Sequence, residues 1–252
     1  MNADLTTVEI TLVIAAVFVG ALVKSVTGMG FPLVAIPVMT LFLPTPTAVA
    51  IIAIPNVVQN AILVVQHRAA WDETRHLALF CAAGVPGAVL GAVALVTVPE
   101  VIVRGALTAM LAAYLLTVIV APDVGVPDRR VRSWSVPVGF GAGVFQGGIG
   151  ISGPIVGTWH HGLHLAQSAF VVSVATVFTL TGTAQVTVLG LRGELDGRLV
   201  VALGLTAVML VTLPLGARLR RRLSVDRFRS LVVVLLGASL VSLIVDLVER
   251  AI

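Results

Sequence analysis

The sequence predicts an all-α integral membrane protein: two inverted repeats of about five hydrophobic segments each, the first two segments of each repeat broken or short. Three observations predict it. The 252 residues are 58% hydrophobic and only 11% charged, with a mean hydropathy of +1.08, far from a soluble domain. The apolar runs recur from end to end and are unbroken rather than alternating, which favours helices over an outer-membrane barrel. The order of segments, breaks and turns occurs twice, a transporter pattern.

Against about 20 residues per membrane helix, the first copy holds apolar segments at 8–27, 32–43, 47–66, 76–98 and 101–120. After a polar stretch the second holds 136–151, 154–165, 167–190, 199–217 and 231–248. The N-terminus lacks the basic region of a cleavable signal, so the first run is expected to stay. The second segment of each copy is too short to span comfortably. Each follows a glycine-rich run closed by a proline, Val19 to Pro32 and Val138 to Pro154, which reads as a membrane helix that breaks and restarts. Arg68 to Asp72 matches Arg192 to Asp196, and Gly91 and Arg104 match Gly216 and Arg229. The expected units are a first repeat at 1–120, a cytoplasmic linker at 121–135 and a second repeat at 136–252.

The net charge of +4 and a pI of about 10.5 do not mark a nucleic-acid binder, because the arginines lie between apolar runs. Loops 67–75, 121–135 and 218–229 hold eleven of them, while Arg104, Arg192, Arg198 and Arg250 fall opposite if each half crosses an odd number of times. The positive-inside bias then makes the repeats inverted and puts both termini outside the cytoplasm. Five crossings per half, or three plus a re-entrant hairpin of the first two segments, satisfy the charges equally. One lysine against fifteen arginines, with abundant Ala, Val and Gly, points to a GC-rich bacterial gene and so to the inner membrane. The one cysteine, Cys81, excludes an internal disulfide and reads as a small core residue.

Gly28-Met29-Gly30 with Pro32, Gly147 to Gly150 with Pro154, and the paired turns Arg68 to Asp72 and Arg192 to Asp196 resemble the sulfite exporter TauE/SafE family of bacterial permeases over nearly the whole chain. The resemblance implies a permease for small sulfur-containing anions such as sulfite, sulfoacetate or other organosulfonates, usually moved outward. Thr27-Gly-Met-Gly-Phe31 stands where many relatives carry a longer glycine run, so the first half-site departs from the family pattern.

A half-helix restarting after Pro32 or Pro154 presents free N–H groups and a positive dipole end to an anion. Gly28, Gly30 and Phe31, with Gly150, Ser152 and Gly153, are therefore expected to line one central substrate site, with the lipid bilayer around it and no cofactor. Gly139, Gly143 and Gly147, and likewise Gly87 and Gly91, suit close helix packing instead. Asn56, with Gln59 and Asn60, and Thr179, with Thr176 and Thr183, lie mid-segment; Gln146 and Gln185 are similar. Each is either substrate-facing or an interhelical hydrogen-bonding residue.

Lys24 is either a residue that snorkels to the interface or, in a hairpin, a deep group facing the anion. With His160 and His161 it is a candidate for coupling to protons. The competing reading is a divalent metal-ion exporter: His160 and His164, i and i+4, would share a helical face beside His161. No Walker loop, GxSxG elbow or mid-segment carboxylate pair supports an enzyme.

Overall fold

The computed structural model describes residues 6–27, 29–120, 125–219, 233, 236–237 and 239–245. Gly28, most of the 231–248 segment and the arginines at 220–229 and 250 lie outside the described residues. Among the described residues every regular element is a helix: α1 Thr7–Thr27, α2 Phe31–Met39, α3 Thr45–His67, α4 Leu77–Thr97, α5 Glu100–Val120, α6 Asp128–Ile149, α7 Gly153–His161, α8 Gln167–Leu191 and α9 Leu199–Leu219. A 3-10 turn, Arg68–Glu73, joins α3 to α4.

Among the described residues six helices, α1, α3, α4, α5, α8 and α9, are long and apolar enough to cross a membrane. Three boundaries differ clearly from the hydropathy pattern, one of them the end of α2, at Met39 rather than 43. α6 begins at Asp128, inside the stretch expected as a linker, with Pro127 as its N-cap at φ -59°, a residue that needs no backbone N–H partner at a helix start. Hydropathy marks the apolar part of a helix, not its polar overhang. α7 stops at His161, capped by Gly162, short of the 165 the apolar run suggested.

The short helices double back. Phe31 O lies 2.8 Å from where a Cβ on Gly20 would be, with Val34 Cβ at 3.2 Å. Had α2 continued along the axis of α1, Phe31 would be a further turn or more from Thr27, not level with Gly20. In the second copy Val126 N–H, just before α6, donates to Gly162 O, just after α7, at 3.0 Å, closing that hairpin at its base. The geometry therefore favours three crossings plus a re-entrant hairpin.

The hairpins open at opposite ends of the molecule. Arg104 Nη2 donates to Thr40 O (3.3 Å) and to Glu100 Oε1 (3.0 Å), and Glu100 Oε1 also accepts Thr45 N–H (2.9 Å). This clamp sets the end of α2 and the starts of α3 and α5 at one end. At the other, Ala70 packs with Ala169 and Val172, and Leu77 and Phe80 pack with Val131, Trp159 and Leu163. Between the ends α4 packs along α6, α1 along α9, and α3 along α8.

Glycines set the closest of these contacts. A Cβ on Gly143 would meet Gly84 O, one on Gly147 would meet Ala88 O, and one on Gly91 would meet Val144 O. Backbones approach this closely only where no side chain intervenes. The packing expected of these glycines is what they do.

Candidate functional site

The two hairpin tips pass each other rather than meeting point to point. Met29, at the first tip, has its Cε 2.7 Å from where a Cβ on Gly157 would lie, while Ile36 Cδ1 is 2.6 Å from that position on Gly150, at the second tip. Each tip therefore lies beside the body of the other short helix. Gly28 is outside the described residues. Gly30 caps α2 with φ 109°, a value glycine tolerates, and Phe31 is fully buried behind it.

The second tip is tied to itself. Ser152 Oγ donates to Gln146 Oε1 (3.1 Å), Gln146 Nε2 to Gly150 O (3.3 Å), and Gly150 N–H to Gln146 O (3.0 Å). Gly150 takes φ 70°, so the loop needs its glycine there. No side chain caps either short helix. In α7, however, Ile155 and Val156 N–H groups both donate to Ser152 O and Pro154 has none, so this start offers fewer free donors than its sequence suggested.

The centre of the molecule is occupied by Lys24, in the last turn of α1. Its Nζ donates to Asn56 Oδ1 at 2.8 Å and lies 5.5 Å from the centroid of the Phe178 ring. Asn56 and Phe178 are each the twelfth residue of their helices, α3 and α8, so the ammonium sits at mid-height between the two long helices. Lys24 is 1% exposed and therefore does not snorkel. No described carboxylate lies within ion-pairing distance of it.

Asn56 Oδ1 also accepts from Asn60 Nδ2 (3.1 Å), and Gln59 Nε2 donates to Ala21 O (3.1 Å) on α1. Asn56, Gln59 and Asn60, spaced i, i+3 and i+4, share one face, and all three are buried. Gln185 Nε2 on α8 donates to Gly147 O (3.0 Å) on α6. Among the described residues Gln59 Oε1, Asn60 Oδ1, Gln185 Oε1 and His160 Nε2 are buried without a hydrogen-bond partner. Such atoms are costly unless something else satisfies them.

The threonine stripe turns inward on its own helix. Thr176, Thr179 and Thr183 hydroxyls donate to Val172 O, Ala175 O and Thr179 O, and Thr183 is exposed. His160 is buried, with Nδ1 2.8 Å from Val156 O and its ring edge-on to Phe80 at 5.1 Å. His161 is exposed. His164 lies beyond the end of α7 at φ 51°, so it does not share a helical face with His160. The expected i, i+4 pair is not formed, because Gly162 ends the helix between the two residues. Among the described residues no three His, Cys, Asp or Glu side chains gather as metal ligands. The aromatic partners Phe178 and Phe80 carried no signal in the sequence, since a phenylalanine within an apolar run looks like any other core residue.

No curated protein and no solved structure matches the chain. The profile of the family described as Sulfite exporter TauE/SafE matches residues 12–243, and the chain belongs to the sulfite exporter TauE/SafE family.

Proposed function

We propose that the chain is a secondary transporter that exports small sulfur-containing anions, sulfite, sulfoacetate or other organosulfonates, across the bacterial inner membrane. It is read as a permease and not an enzyme. The observation that carries the reading is Lys24: a buried amine at mid-height, partnered among the described residues only by an amide oxygen and an aromatic face. Intramembrane ionisable residues face functional paths by default, and a positive group with no described carboxylate suits an anionic cargo.

The anion binds between α3 and α8, taking one proton donor of Lys24 in place of Asn56 Oδ1. Gly30 and Phe31, and Gln146, Gly150, Ser152 and Gly153, form the two tips that flank it. Thr179 borders the path from α8. The halves 1–120 and 136–252 act as inverted copies joined by 121–135. This is supported by paired packing, since α4 on α6 is matched by α9 on α1, and α4 on α8 by α9 on α3. The arginine-rich loops make the end that holds the 67–76 turn the cytoplasmic one. Rocking of the hairpins past each other opens the centre to either side. Protons are the proposed coupling ion, with Lys24, His160 and His161 as the groups that carry them.

Purified protein in detergent is expected to melt higher in sulfite than in equimolar chloride, by mass action on the native state. Proteoliposomes are expected to release trapped sulfite down its gradient faster than empty vesicles. Equal release with and without protein removes the transport reading.

A further inference from the structure

Two cations are buried among the described residues, Lys24 and Arg104. Arg104 faces Glu100 at 3.0 Å, so its charge is already balanced. Among the described residues Lys24 has only neutral partners, Asn56 Oδ1 and the Phe178 ring. Its surroundings add no second donor of positive charge: Asn60 and Gln59 spend their N–H groups on Asn56 and on Ala21 O, and their own oxygens stand unpartnered. The site thus offers one amine, which a bound anion would keep in its ammonium form, beside neutral amide groups.

We propose, resting on the transport reading above and narrowing its cargo, that Lys24 makes this a site for singly charged sulfur oxyanions, taking hydrogensulfite and simple alkanesulfonates and refusing sulfate and the doubly charged sulfoacetate. One negative charge against Lys24 leaves a neutral pair in a low-dielectric centre. A doubly charged anion leaves one charge uncompensated there, and an unpaired buried ion costs several kcal/mol. The unpartnered oxygens of Gln59 and Asn60 disfavour the extra charge and accept a hydrogen bond from the acidic hydrogen of hydrogensulfite, which sulfate does not carry at neutral pH. Specificity then comes from what the site lacks as much as from what it offers.

The test is binding measured calorimetrically on detergent-purified full-length protein, with methanesulfonate as the singly charged probe and sulfate as the doubly charged one. Wild-type protein is expected to bind methanesulfonate about a hundredfold more tightly than sulfate. Two variants address Lys24 from opposite directions. Lys24→Met removes the charge, and Asn56→Asp offers it a permanent carboxylate. Each is expected to weaken methanesulfonate binding at least about tenfold while eluting as wild type on size exclusion. Sulfate bound as tightly as methanesulfonate by wild type overturns the inference, and so does either variant binding methanesulfonate with unchanged affinity. Wild-type protein that binds neither these anions nor sulfite overturns the transport reading along with it.

Discussion

Gly143 and Gly153 belong to the same glycine-rich stretch, yet one methyl group distinguishes them. On Gly143 it would collide with Gly84 O, whereas on Gly153 it would meet nothing within 4 Å. Gly143→Ala is expected to destabilise the α4–α6 contact by about 1–3 kcal/mol, the usual cost of overpacking a close interface, seen as a lower melting temperature and lower yield. Gly153→Ala is expected to melt within about 0.5 kcal/mol of wild type, so any loss of anion binding it causes reports on the tip itself. The i, i+4 spacing of Gly139, Gly143 and Gly147 assigned Gly143 to packing and the break assigned Gly153 to the tip, but which backbone comes alongside Gly143 was not legible in the sequence. Lys24 shows the same limit: its depth depends on whether α1 crosses or turns back, and the residues around position 24 suit either.

Among the elements, the two breaks, the short helices after them and their order were legible because Gly-Pro breaks and short apolar runs follow from backbone chemistry, whereas the turning back of each short helix was not. Their pairing across the molecule was not, since Met29 against Gly157 and Ile36 against Gly150 join segments more than a hundred residues apart. The clamp of Glu100 and Arg104 was equally hidden; the sequence offered Arg104 only as a topology marker. It fixes the start of α3, whose first N–H is otherwise uncapped, through Thr45 N to Glu100 Oε1 at 2.9 Å. Glu100→Ala removes the acceptor for Thr45 and the partner of Arg104 together. Because the Glu100 side chain is 36% exposed, the loss is expected to be about 1 kcal/mol or less. Hydrogen exchange at 45–48 is then expected to rise by up to about fivefold, with 56–60 unchanged. Unchanged exchange at 45–48 would show that the clamp does not hold this helix start.

At the scale of the whole molecule, the fold has a definite polarity that the arginine distribution converts into an orientation. α8 separates Ser133, on the exposed polar start of α6, from Asp196, in the exposed turn after α8. These two sites lie at opposite ends, the first with the arginine-rich loops. The native Cys81 is buried, so an aqueous thiol reagent reads an introduced cysteine with little background. In intact cells an impermeant maleimide is expected to label Asp196→Cys, and to label Ser133→Cys only after the membrane is permeabilised. The reverse pattern would keep the fold and overturn the positive-inside assignment. Labelling of both from outside would instead break the odd number of crossings, and with it the opposed hairpins on which a centre reachable from either side depends.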